Sequence, residues 1–164
     1  MSSRAYNVLF LCTGNSARSI MAEALLNHLG RGRFDAFSAG SHPTGQVHPL
    51  ALETLATLGL SAKGPRSKSW EEFARSDAPP IDFIITVCDN AAGETCPVWP
   101  GKPVTAHWGV DDPAASNGSD EERRAAFRNA AHVLRRRIEL LVSLQNASLA
   151  ATTARAMLGE IGRR

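Results

Sequence analysis

The stretch that most limits how this chain can fold runs from Asn7 to Leu26. Asn7-Val8-Leu9-Phe10-Leu11 is an apolar run with the length and composition of a buried strand of a parallel sheet. Ile20-Met21-Ala22-Glu23-Ala24-Leu25-Leu26 reads as a helix with little to interrupt it. The residues between them, Cys12-Thr13-Gly14-Asn15-Ser16-Ala17-Arg18-Ser19, must therefore turn a strand into a helix N-terminus. At such a turn several backbone N–H groups lack intrahelical partners and point at one spot. Gly14 is expected to permit the tight bend that makes them a concave anion cradle. A thiol at Cys12, in that cradle and near the Arg18 guanidinium, is favoured as thiolate, the nucleophilic form. Arg18 adds a planar fork that can grip two oxygens of a tetrahedral oxyanion. A cysteine and an arginine at this spacing are common by chance; the strand before and the helix after make the pattern specific.

The rest of the chain repeats the alternation. The first helix is expected to stop at Gly30. Phe34 to Ser38 reads as a second strand ending at Ser38-Ala39-Gly40, and Pro49 opens a helix through Leu58 that Gly59 closes. The polar stretch from Ser61 to Asp77 holds at most a short helix around Trp70–Phe73. Ile81 to Val87 is the clearest strand, and Pro103 to Ala106 is a short fourth one. Between them Cys88 to Gly101 reads as a loop, as does His107 to Gly118. Ser119-Asp120-Glu121-Glu122 forms a capping box for a long helix whose inner stripe is Phe127, Ala131, Leu134, Ile138 and Leu141. Arg124, Arg128, Arg135 and Arg136 fall mostly off that stripe as a solvated face. Ala147 to Gly162 reads as one weaker helix without evident chemistry.

Strands alternating with helices make this an α/β chain: a single domain with a four-stranded, mainly parallel sheet and helices on both faces. Residues 1–145 form its body and 146–164 a C-terminal helical tail of the same domain. In such sheets ligands bind outside the carboxyl ends of the strands. That edge collects Cys12 after the first strand, Ser38 at the end of the second, Cys88 after the third and Asp111-Asp112 after the fourth.

Composition narrows the function classes. With 164 residues the chain can bury a full core, and a net charge of +2 is too small to argue for nucleic acid. No apolar run approaches membrane-spanning length, and Val8 to Leu11 is too short for a signal core. The expected location is cytoplasmic, where thiols stay reduced. Three cysteines, Cys12, Cys88 and Cys96, argue against a disulfide scaffold and leave metal, redox chemistry or plain burial. Zinc ribbons use tighter pairs and four ligands, so no metal is expected. Cys96 lies beside Pro97 among Asp89, Asn90 and Glu94, a setting hard to bury. Linking it to Cys88 constrains the reduced chain by only about 2.6 kcal/mol, so the loop could open and close as a redox switch.

Attack on an oxyanion also needs a proton for the departing oxygen. Asp112, before Pro113, is the expected donor, with Asp111 as competitor and a plain Asp-Pro turn as the bland alternative. Asn15, Ser19 and Ser38 carry groups able to hold the loop and hydrogen-bond the thiolate; Ser38 is the supporting residue. His42, His48 and His107 are not expected to be catalytic, and Glu23 is expected on the helix surface.

Taken in order, Cys-Thr-Gly-Asn-Ser-Ala-Arg-Ser at 12–19, Ser-Ala-Gly at 38–40, Val-Cys-Asp at 87–89, Cys-Pro at 96–97 and His-Trp-Gly-Val-Asp-Asp-Pro at 107–113 resemble the arsenate reductases. Those enzymes share the fold of low-molecular-weight tyrosine phosphatases. The resemblance covers about residues 6 to 145. It implies that Thr13, Gly14, Asn15, Ser16, Ala17, Arg18 and Ser19 bind arsenate, Cys12 attacks it and Asp112 protonates the departing oxygen. Cys88 then attacks the Cys12 sulfur and releases arsenite. Cys96 moves the disulfide to Cys88–Cys96, and an external thiol, thioredoxin or glutaredoxin with glutathione, reduces it. No bound cofactor is implied, and a monomer is the default. Many relatives carry a cysteine just before the loop arginine; Ala17 stands here, which leaves Cys88 to resolve Cys12. Some bind potassium through positions matching Asn15, Glu23, Ser38 and a carboxylate near 68. Lys68 stands here, so no potassium site is expected.

Two rivals share these residues. A phosphatase acting on phosphotyrosine or small phosphate esters would use the loop, Arg18 and Asp112, but it has no need of Cys88 and Cys96. It would also want aromatic walls where Ala114-Ala115 stand. A non-enzymatic oxyanion receptor would use the cradle alone and would tolerate Cys12→Ser.

Overall fold

The computed structural model describes residues 5–60, 64–88, 103–150 and 153–164. In chain order the elements are β1 (Tyr6–Cys12), α1 (Arg18–Leu29), β2 (Phe34–Gly40), α2 (Pro49–Thr57), a 3-10 helix (Trp70–Phe73), β3 (Phe83–Thr86) and β4 (Val104–His107). A second 3-10 helix (Pro113–Ala115), α3 (Asp120–Val142), α4 (Asn146–Ala150) and α5 (Ala154–Gly162) complete them. The four strands form one sheet in the order β2-β1-β3-β4, and every pairing is parallel. The expected mainly parallel sheet is therefore wholly parallel.

Alternation along β1 divides the core. Val8 and Phe10 face α1, α2, α3 and α5, where Met21, Leu25, Leu55, Phe127, Leu134 and Leu158 are buried with them. Leu9 and Leu11 face the other way, onto Trp70 and Phe73 of the first 3-10 helix. Helices thus cover both faces, unequally among the described residues. The capping box forms as read: Glu122 N–H donates to Ser119 Oγ, and Glu122 Oε1 accepts from the Ser119 N–H.

Two expectations are corrected. The stretch from His107 to Gly118 is not all loop, because Asp112 Oδ1 accepts the Ala114 N–H at 3.0 Å and caps the second 3-10 helix. The C-terminal stretch is two helices, α4 and α5. It is also part of the core. Leu149, Ala154, Leu158 and Ile161 are buried, and Trp108 Nε1 donates to the Leu158 carbonyl at 2.9 Å. Gly162 lies so close to β4 that a Cβ there would stand 2.3 Å from the His107 carbonyl oxygen.

The strand order sets the site. The chain leaves β1 toward β2 on one side and returns as β3 on the other, so the sheet changes direction between β1 and β3. Ligands in open α/β sheets bind at the carboxyl end of that switch point.

Candidate active site

Cys12 ends β1, and β3 runs beside it with Leu11 opposite Thr86. Val87 N–H donates to the Leu11 carbonyl at 2.9 Å, which carries the pairing one residue further. Cys88 therefore emerges next to the Cys12 turn, as neighbouring parallel strands about 4.8 Å apart require. Thr13 N–H donates to Cys88 Sγ at 3.3 Å, and the Thr13 hydroxyl lies 3.6 Å from the same sulfur. Cys12 and Cys88 are both buried thiols, 5% and 3% exposed, and they lie close enough for Cys88 to hold the Cys12 proton on.

The turn is built with its carbonyls outward. Thr13, Gly14 and Ser16 carbonyls accept from the N–H groups of His42, Thr44 and His48 at 2.8–3.0 Å, and Ser67 Oγ also donates to Gly14. Planar peptides then turn the following N–H groups the other way, and the Gly14 N–H donates to the Cys12 sulfur. The bend itself belongs to a different residue than expected. Asn15, at φ +46°, takes the left-handed conformation, and Gly14 does not. Asn tolerates that region because its side chain bonds locally: Nδ2 donates to Ser19 Oγ at 2.9 Å, and Oδ1 accepts the Lys68 N–H at 2.8 Å. The N-terminus of α1, at Ala17, has no side-chain cap, so its N–H groups remain for an anion. Sequence reasoning misses Gly40, where a Cβ would stand 2.4 Å from the Thr13 carbonyl oxygen and 2.8 Å from that of Cys12. Only a residue without a side chain lets β2 press against the turn; its place in Ser-Ala-Gly is the available signal.

Arg18 opens α1 and links the turn after β1 to the segment after β4. Its Nη1 donates to the Val110 carbonyl at 2.7 Å, and its Nη2 lies 3.8 Å from Asp112 Oδ2. Asp112 is half-exposed and also caps its 3-10 helix, so the turn expected at Asp112-Pro113 forms. Of the two aspartates, Asp112 is the one ion-paired to Arg18. The Cys12 thiol is pushed well above its ordinary value, first by its hydrogen bond with Cys88 and then by burial; Arg18 and the Gly14 N–H pull it down.

Ser38 and Glu23 are joined through their side chains. Ser38 Oγ donates to Glu23 Oε1 at 2.5 Å and accepts from Lys68 Nζ at 3.5 Å. Glu23 is only partly on the surface: its side chain is 20% exposed and lies 3.9 Å from Lys68 Nζ, and burial raises its carboxyl pKa. Burial likewise lowers that of Lys68. The ammonium thus occupies the acidic spot below Asn15. His48 caps α2 through Leu50 N–H and stacks on Phe127, while His107 Nδ1 lies 2.6 Å from Thr86 Oγ1. Among the described residues no three His, Cys, Asp or Glu side chains converge as a metal site. Cys96 lies outside the described residues.

A nucleophilic sulfur in an N–H-lined turn, an arginine fork and a nearby carboxyl are the parts of an enzyme that acts on tetrahedral oxyanions. The family model for low molecular weight phosphotyrosine protein phosphatase matches residues 7–154, and the chain belongs to that family. Within it, the chain is 36% identical over 132 residues to an arsenate reductase of Halalkalibacterium halodurans, covering 80% of this chain and 91% of that one. The crystal structure of arsenate reductase from Archaeoglobus fulgidus superposes with a TM-score of 0.66 at 31% identity, covering 84% of this chain and 99% of that one. A Corynebacterium glutamicum thioredoxin-dependent arsenate reductase gives 0.56 at 27% identity, covering 86% and 65%.

Proposed function

We propose that this chain is an arsenate reductase that passes electrons to arsenate through a thiol–disulfide relay. The observation that carries the reading is the second sulfur: Cys88 follows the strand beside Cys12 and accepts the Thr13 N–H at 3.3 Å. Hydrolysis of a phosphate ester has no use for it.

Residues 13–19 and the α1 N-terminus hold arsenate, with Arg18 across two of its oxygens. The Cys12 thiolate attacks arsenic, Asp112 gives its proton to the departing oxygen, and water leaves. The Cys88 thiolate then attacks Cys12 Sγ. A Cys12–Cys88 bond forms, the sulfur–arsenic bond breaks, and its electron pair stays on arsenic, which departs as arsenite. Cys96 attacks Cys88 and frees Cys12. An external dithiol, or a pair of small thiols, reduces the Cys88–Cys96 bond. A thioredoxin-type partner is the first candidate, because one structural relative carries that dependence in its name. This reading places the protein in the cytoplasm, where such reductants are maintained. Among the described residues no helix is long and apolar enough to cross a membrane.

The test compares arsenate-dependent consumption of reductant with nitrophenol release from its phosphate ester. Reductase turnover should dominate and vanish in Cys12→Ser and in Cys88→Ser. Ester hydrolysis should vanish only in Cys12→Ser. Equal loss of ester hydrolysis in Cys88→Ser, with no arsenate turnover in the wild type, returns the chain to the phosphatases.

A further inference from the structure

The run of arginines on α3 contains one that is not solvated. Arg137 is only 7% exposed. It falls three residues after Leu134 and one before Ile138, so it lies on the buried stripe of its helix. Burying a guanidinium is costly unless something compensates its charge. No carboxylate among the described residues pairs with Arg137, and its Nε has no hydrogen-bond partner. What it does hold is the carbonyl of Gly109, through Nη1 at 3.0 Å.

The next carbonyl along, that of Val110, is held by Arg18 at 2.7 Å. Guanidiniums from α3 and α1 therefore seize consecutive carbonyls of one short segment. That segment continues to Asp112, whose carboxylate sits 3.8 Å from the same Arg18. The segment also lines a cleft of about 420 Å³, together with Pro113, Ala130 and Arg137. Packing does not fill that cleft, so the segment has room to shift on the side that lines it.

We infer that Arg137 is a positioning residue: it braces the Gly109–Asp112 segment and so sets the distance between Asp112 and the Arg18-bound oxyanion. This rests on the acid role proposed for Asp112. Arg137 touches neither substrate nor sulfur, and it acts only through the segment it holds. Displacement of a reacting group by about 1 Å can cost 10²-fold in rate.

The test is a double-mutant cycle on kcat of the full-length protein, with Arg137→Met and Asp112→Asn singly and together. Arg137→Met alone should lower kcat by about 10- to 100-fold. Placed on Asp112→Asn, the same change should cost less than about threefold, because the group it positions is gone. Arg137→Lys, which keeps a donor on the same helix face, should recover part of the loss. Protection of Cys12 from alkylation by inorganic phosphate should stay unchanged in Arg137→Met, which shows the cradle still folded. Equal fold losses in both backgrounds overturn the inference and leave Arg137 a packing residue. Loss of phosphate protection in Arg137→Met overturns it too. If Asp112→Asn alone leaves kcat unchanged, both the acid role and the inference fail. The cycle runs equally on the nitrophenyl ester, so absence of arsenate turnover would condemn the reductase reading without deciding this one.

Discussion

Two loops meet at the carboxyl edge of the sheet, and they are built on opposite terms. The turn after β1 is rigid: Asn15 and Ser19 are fully buried, Gly40 presses on its backbone, and its outward carbonyls are taken by neighbouring donors. The segment after β4 carries a half-exposed Asp112, holds its carbonyls through two arginines and lines a cleft. The difference fits the roles proposed for the two loops. A site that stabilises charge works best when its dipoles are fixed before the charge arrives. A proton donor must be reloaded from water after every turnover, so it needs an open side.

The largest expected effect separates the two aspartates of the open segment. Asp112→Asn should lower kcat by about 10²- to 10⁴-fold, the usual worth of a general acid. Asp111→Asn, with no tie to Arg18, should stay within about twofold in the same steady-state assay. A reversal of that ranking would move the acid one residue back along the chain.

Next in size is a change that strikes the rigid turn without touching a reacting group. Gly40→Ala puts a methyl 2.4 Å from the Thr13 carbonyl oxygen, and backbone on both sides must shift. The kcat/KM for arsenate should fall about 100-fold. If activity survives intact, the turn is less fixed than its contacts imply.

A smaller effect reads the sulfur pair. Cys88 is the largest cause holding the Cys12 proton on, and Arg18 the largest pulling it off. Cys88→Ala should therefore move the onset of Cys12 alkylation by iodoacetamide to lower pH, and Arg18→Met should move it to higher pH. Shifts in the same direction for both variants would mean that the sulfurs do not share their protons.

Much of the fold and of the site is legible in the amino-acid sequence alone, and the features that are not share a physical origin. Strand, turn and helix around Cys12 are readable because all the signals lie within twenty residues or so of chain. The capping box at Ser119 and the short helix at Trp70 are readable for the same reason. The burial of Glu23 is hidden because its partner there, Lys68, arrives from a distant segment. Arg137 hides among exposed arginines, although its place between Leu134 and Ile138 on the helical stripe is a visible cue. Propensity alone puts the bend at Gly14, whereas hydrogen bonds to Ser19 and Lys68 put it at Asn15. The proximity of Cys12 and Cys88 needs only the rule that places ligands at strand ends. Adjacency of β1 and β3 then fixes it.

The most direct measurement is mass mapping of disulfides after a single arsenate turnover without reductant, in wild type and in Cys96→Ser. Passage of oxidation outward through neighbouring sulfurs requires a Cys88–Cys96 bond in the wild type and a trapped Cys12–Cys88 bond in the variant. A variant that releases arsenite while Cys12 and Cys88 remain unlinked would contradict it.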